Sequence, residues 1–395
     1  MFKHSVIVSV GRTAVGGFGG SLRSFSPAEL GTEAVKAVVA RAGIDAKLVE
    51  EVVLGCVGQY GVNAFVARIA ALGAGCDESS GAQTVNRLCA SGLQSIVTAS
   101  MMIENGDAEV AVAGGVESMS NYPYLLPAAR WGMRMGAGKN ALEDALTTAL
   151  CEPFRGPDVH IASTAENLAE RYNLSRERLD AYALHSQEKA LKAIADGKFK
   201  EEIIPLEIKD KKGSIIFDTD EHPRETSLEK LGKLRPIFKK DGVVTAGNAS
   251  GINDGAAAMV IMSRKKADAL GCKPLARIVD YAVAGVDPQY MGIGPVASTR
   301  KLLQKTGMSL SDFSVIELNE AFAAQAEACI VEMGLDSALV NVNGSGISLG
   351  HPIGATGAVI SVKLIQELRR RGSRYGLSTL CIGGGQGLSV VFEAL

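Results

Sequence analysis

Four side chains of this 395-residue sequence could do chemistry together: two cysteines, one histidine and one asparagine. In NRLCASGLQS, residues 86–95, Cys89 precedes a helical run. The free N–H groups and positive dipole end of a helix start lower a thiol pKa, and Ala90, Ser91 and Gly92 read as clearance for a ligand. In NGSGISLGHPIGATGA, residues 343–358, Pro352 suits a first helical position and confines His351 to extended backbone, so the imidazole stays at the helix entrance. Gly350, Gly354 and Gly357 again leave room there. An imidazole poised near neutrality is the natural general base for a thiol. In CIGGGQG, residues 381–387, a strand ends in Cys381 and three glycines, whose N–H groups could face a developing oxyanion while the thiol shuttles a proton. In NEAFA, residues 319–323, Asn319 closes a strand. Taken singly, each has a plainer reading: an inert core thiol, a helix-capping histidine, a glycine turn and a capping asparagine.

The elements that must position these groups run the same programme twice. SVIVSV, a helix over residues 27–42 ended by Gly43, the strand EEVVLGCV, a further helical stretch, the Cys89 helix, AEVAVAGG and AAAMVIMS form the first series. LARIVDYAV, a helix ending at Gly307, SVIEL, the helix of NEAFAAQAEACIVEMG, the His351 helix, YGLSTLCIGGG and GLSVVFEAL form the second. Read this way the halves match element for element, and Cys89 and His351 occupy equivalent helix starts. Short glycine-bounded apolar strands alternating with helices predict an α/β fold with buried sheets. The domains expected are 1–118 with 249–270, carrying Cys89; an inserted loop domain, 119–248; and 271–395, carrying Asn319, His351 and Cys381. The insertion includes a polar helix around 161–195 and a charged stretch from Lys209 to Lys240 with nine Lys/Arg against six Asp/Glu. Such a stretch either covers a site or is ordinary solvated surface.

Composition excludes several classes. A formal charge of −2 supplies no basic field, so neither nucleic acid nor a membrane surface is an expected partner. No apolar run is long enough to cross a bilayer, and MFKHSVIVSVGRT leads into a strand without a signal-peptide pattern, so a cytoplasmic location is expected. Seven cysteines without a CxxC argue against a disulfide framework or structural zinc and for a reducing compartment. Five histidines, none at i and i+4, give no metal site. GMRMGAGKN has the wrong spacing for a phosphate loop, and no dinucleotide fingerprint or HExxH is present.

NRLCASGLQS, NEAFA, GHPIGATGA and CIGGGQG in that order, with VTAGNASGINDGAA at 244–257 and MGIGP at 291–295, resemble the thiolase family over essentially the whole length. That family comprises acetyl-CoA acetyltransferases and 3-ketoacyl-CoA thiolases. The resemblance implies a thiolase fold: two pseudo-symmetric βαβαβαββ halves stacked in a five-layer αβαβα architecture, with an inserted loop domain over the coenzyme A site. It implies a ping-pong acyl transfer, 2 acetyl-CoA = acetoacetyl-CoA + CoA, with Cys89 as acyl carrier, His351 as activating base and Cys381 as acid/base. One oxyanion hole would use His351 and a water held by Asn319, the other the N–H groups of Cys89 and Gly383. Ser250 and Phe238 fall near the pantetheine, Arg224 near the phosphates, and His160, Ile161, Met291 and Phe322 near the acyl group. Coenzyme A and acyl-CoA are substrates, and no permanently bound cofactor is expected. A homodimer or homotetramer is expected, with residues 85–115 as the dimer surface. Ile161 replaces the methionine usual in acetoacetyl-type members, and Ser345 and Gly346 replace the commoner Gly-Ala, which bears on chain length. The alternatives are a degradative thiolase for longer chains and a non-catalytic CoA-binding scaffold. A ketoacyl synthase typically carries histidine or asparagine where Cys381 stands.

Overall fold

In the computed structural model, which describes residues 2–133, 135, 141–210 and 213–395, local sequence signals set the helix limits. Of the 132–140 glycine stretch, residues 134 and 136–140 lie outside those described. Helix α1 (Pro27–Ala42) opens with a capping box between Ser26 and Glu29 and a proline at its first position. It stops at Gly43, whose φ of 69° is left-handed. The other principal helices are α2 (Val66–Gly73), α3 (Ser91–Asn105), α4 (Ser163–Arg171), α5 (Arg176–Ala195), α6 (Gly294–Thr306), α7 (Ala323–Met333) and α8 (Ile353–Arg371). One polar helix was expected around 161–195, but the chain makes two, α4 and α5. Asn173 turns left-handed at φ 52°, and the Ser175 hydroxyl then caps α5 by accepting from Arg178 N. Pro352 is the N-cap of α8 rather than its first residue.

The strands are β1 (Ser5–Thr13), β2 (Glu51–Gly55), β3 (Gly81–Val85), β4 (Val110–Ser118), β5 (Asn253–Ser263), β6 (Ala276–Gly285), β7 (Val315–Leu318), β8 (Tyr375–Ile382) and β9 (Gln386–Ala394). Their order is β7-β8-β9-β6-β1-β5-β4-β2-β3. The first half supplies β3-β2-β4-β5-β1 and the second β7-β8-β9-β6, and the halves join through the single residue pair Ile7 and Ala276. Helices α1 and α2 cover the outer face of the first half, α6 and α7 that of the second, and α3 lies against α8 between them. The result is five layers, αβαβα. A helix in the middle layer has no solvent face, and α8 is buried from Ile353 through Leu368. Its Lys363 is neutralised inside, donating to Glu317 at 2.8 Å and to the Gly344 carbonyl at 2.5 Å.

The halves do not match element for element. Where the first half builds β3 beside β2, the second offers β7 only a one-residue bridge, Ile316 to Val340. Asn341 replaces the rest of the strand with its side chain: its amide oxygen accepts from Leu318 N at 2.9 Å and its nitrogen donates to Leu318 O at 2.8 Å. Residues 119–248 hold α4, α5 and three two-stranded sheets, and lend Ile203–Ile204 to β1. Arg12 of β1 anchors them, bonded in the interior to Glu202 at 2.8 Å and to Asp220 at 2.7 Å. No helix among the described residues is long and apolar enough to cross a membrane.

Candidate active site

Between β3 and α3 the chain turns through Leu88, which sits at φ 46° in the left-handed region. That conformation is uncommon for a branched residue and is held by its neighbours. Asn86 Oδ1 accepts from Leu88 N at 3.0 Å. The Ser91 hydroxyl accepts from Arg87 N at 2.9 Å and donates to Leu88 O at 2.7 Å. Cys89 is thereby set just ahead of the N-cap, Ala90. The small residues behind it serve a different purpose from the one expected. A Cβ on Gly92 would lie 2.8 Å from Ala358 N, and one on Gly357 would meet the backbone of Leu93. These glycines clear the way for the two central helices to touch. Gly354 likewise yields to Glu117, whose carboxylate accepts from its N–H at 2.9 Å.

The expected depression of the Cys89 thiol is also corrected. Protein atoms enclose the sulfur except where it faces a cavity, and burial pushes its pKa up to about 11. The N–H groups of Gly383 and of Cys89 itself pull the other way but do not win. Cys89 is therefore a neutral thiol at rest, and its proton must leave as it attacks.

His351 is held at its backbone nitrogen and at both ring nitrogens. Its backbone N–H donates to Asn253 Oδ1 at 3.0 Å, its Nδ1 lies 2.6 Å from Thr356 Oγ1, and its Nε2 lies 3.4 Å from Asn319 Nδ2. Burial lowers its pKa to about 4, so the ring is neutral and able to take a proton. Asn319 Oδ1 is buried with no protein partner, an acceptor left for water or substrate. Cys381, at the end of β8, is buried, and its thiol is pushed well up by burial first and by the neighbouring Cys89 second. Gly383 aims its N–H at the Cys89 sulfur, and a Cβ there would lie 3.1 Å from Leu88 and 3.2 Å from Ile161.

Cys89 and His351 open onto one cavity of about 210 Å³. Its wall includes Ser250, Phe238, His160, Ile161, Met291 and Phe322, and is otherwise largely apolar through Leu150, Ile237, Ile252 and Ile353. His160 stacks on Phe238 at 4.4 Å and accepts from Ala162 N at 3.1 Å on Nδ1. Asn319, Cys381 and Gly383 are not part of the lining but adjoin its residues, Asn319 at His351 and the other two at Cys89. Arg224 is exposed and outside the lining; it stands close to His222, whose pKa falls to about 4 by burial first and the Arg224 charge second. Sequence reasoning did not single out Leu88, Asn253, His222 or Thr356. Asn253 and Thr356 lie inside GNASGINDGAA and GHPIGATGA, so their position was a usable signal; a left-handed leucine carries none. No group of three or more His, Cys, Asp or Glu among the described residues could hold a metal ion.

Comparison with known proteins agrees with this geometry. Residues 5–265 match the model of the thiolase N-terminal domain, and residues 272–394 that of the thiolase C-terminal domain. The beta-ketothiolase BktB of Cupriavidus necator is 52% identical over all of both chains. The crystal structure of the Bacillus anthracis acetyl-CoA acetyltransferase superposes with a TM-score of 0.97 at 48% identity, covering 100% of this chain and 99% of that one. Human mitochondrial 3-ketoacyl-CoA thiolase in complex with CoA gives 0.96 at 42% identity, covering 100% and 98%. Two family models end to end, full-length relatives and a shared five-layer fold lead to one conclusion: the chain belongs to the thiolase family.

Proposed function

We propose that this enzyme interconverts two acetyl-CoA with acetoacetyl-CoA and CoA by reversible thioester Claisen chemistry. The observation that carries the reading is that a thiol, Cys89, and a neutral imidazole, His351, face one apolar cavity while the Gly383 N–H points at the sulfur. In the first half-reaction the Cys89 S–H proton passes to His351 Nε2 as sulfur attacks the thioester carbonyl. The oxyanion is met by the N–H groups of Cys89 and Gly383, and CoA departs with the proton of the Cys381 thiol, which leaves Cys381 as the thiolate and His351 protonated. In the second, the Cys381 thiolate removes a proton from the methyl group of another acetyl-CoA, whose enolate oxygen is held by His351 and an Asn319-bound water. The carbanion attacks the acyl carbon, the bond to Cys89 breaks, and His351 returns its proton to that sulfur, leaving Cys381 as the thiol. A thiol whose pKa burial has raised makes a correspondingly strong base, which suits a weakly acidic C–H.

Ser250 and Phe238 would hold the pantetheine, and Arg224, at the exposed end, the phosphates. Residues 119–248 would act as the domain covering CoA. A cytoplasmic setting, a part in fatty acid metabolism, no resident cofactor and a homodimer or homotetramer complete the reading. The first of these is supported by seven free cysteines. A second reading, thiolysis of longer 3-ketoacyl-CoA, is favoured by Ile161 and the apolar wall around it. Acetoacetyl-CoA supplied with CoA tests the first: loss of enolate absorbance is expected, and no turnover, with Cys89→Ala indistinguishable from wild type, refutes it. A chain-length series of 3-ketoacyl-CoA substrates, compared by kcat/KM, decides between the two.

A further inference from the structure

His351 can serve as a base at Nε2 only if its single ring proton sits on Nδ1, and the residues around the ring bear on that choice from both ends. At one end, Asn319 presents its Nδ2 to Nε2 at 3.4 Å, and since an amide nitrogen donates, this contact suits a lone pair on Nε2. At the other, Thr356 Oγ1 lies 2.6 Å from Nδ1 and donates its own proton to the Pro352 carbonyl at 2.9 Å, one turn back in α8. A hydroxyl has one proton. Once it is given to Pro352, the oxygen is left to accept from the ring. All three groups are buried, and Thr356 lies outside the cavity lining, so the Nδ1 contact is enclosed by protein.

We propose that Thr356 is the positioning residue that fixes the tautomer of His351, holding the proton on Nδ1 and leaving Nε2 free for the Cys89 proton. The inference rests on His351 acting as the base. As Cys89 reacts, its S–H bond breaks and Nε2–H forms, while Nδ1–H stays bonded to Thr356 throughout. The same hydroxyl therefore serves the neutral ring and the imidazolium, while the Asn319 amide, a donor to the neutral ring, gives way when Nε2 gains its proton. Thr356 touches no substrate, because it lies behind the ring and outside the cavity wall.

The test uses the full-length enzyme with 15N-labelled histidine. In the resting wild type, His351 is expected to show a protonated Nδ1 and an unprotonated Nε2. Thr356→Val should give mixed or inverted tautomers and lower kcat at least roughly tenfold, with KM for acyl-CoA little changed. Thr356→Ser, which keeps the hydroxyl, should restore both. Ser361→Ala is the control: it removes the same kind of bond, from Ser361 Oγ to Gly357 O at 2.7 Å, further along α8 without touching His351, and should leave kcat and tautomer unchanged. A proton on Nε2 in the wild type overturns the proposal whatever the variants do. So does an unaltered tautomer in Thr356→Val, or an equal fall in kcat for the Ser and Val variants. If instead the tautomer follows Thr356 while Cys89→Ala keeps full turnover, the functional reading fails and this assignment stands.

Discussion

The two central helices begin in opposite ways. At the start of α3, Cys89 follows a left-handed Leu88, faces the cavity, and has the N–H groups of Gly383 and of its own residue at its sulfur. At the start of α8, His351 is buried and bonded at its backbone nitrogen and both ring nitrogens. The difference follows the work assigned to each. A sulfur that gains and loses an acyl group needs an open side, whereas a ring that passes a proton and holds an oxyanion gains from being held in one orientation.

The largest blow to this comparison comes at the open end. Cys89→Ala should lower turnover of acetoacetyl-CoA with CoA by more than roughly a thousandfold and abolish the acyl adduct in intact mass, with thermal stability near wild type. Persistent adduct would move the nucleophile elsewhere. Next is the contact that brings the two starts together. Gly357→Ala pushes a methyl group onto the backbone of Leu93 and should cost about 1–3 kcal/mol in denaturant unfolding; no loss would mean the helices are not in backbone contact.

Acid probes the closed end. His351 titrates at about 4 when folded against 6.5 as a free side chain, so the unfolded chain takes up its proton first as pH falls. Its contribution is complete above pH 6.5 and is lost down to about 4, on the order of 3 kcal/mol. His351→Gln should therefore lose less stability than wild type between pH 7 and 4.5, by equilibrium unfolding. At the open end, alkylation of Cys89 by iodoacetamide should keep accelerating with pH and level off only near 11; a plateau around neutrality would mean the helix dipole outweighs burial. The smallest effect is expected at the cavity wall. Ile161→Ala should shift kcat/KM towards a longer 3-ketoacyl-CoA by roughly tenfold, read from the chain-length series.

Much of this was legible in advance because the signals are local. Ser26, Pro27 and Gly43 bound α1, and the order of the Cys89, Asn319, His351 and Cys381 motifs marked the family. What stayed hidden depends on partners distant in sequence. The thiol of Cys89 looked activated because a helix start is visible in the sequence and burial is not. Gly92 looked like room for a ligand because its true neighbour, Ala358, lies 266 residues away. The second half looked complete because nothing in VNVNG announces that the Asn341 side chain would stand in for a strand.

That substitution has a consequence for how copies of the molecule can meet. The Asn341 amide and its neighbours saturate the β7 rim of the sheet, so no foreign strand can add there, while β3 at the far rim has no partner beyond β2 among the described residues. A ribbon closed along one border can be joined only once. Pairing through strand borders would end at two chains and could never run on into a fibre.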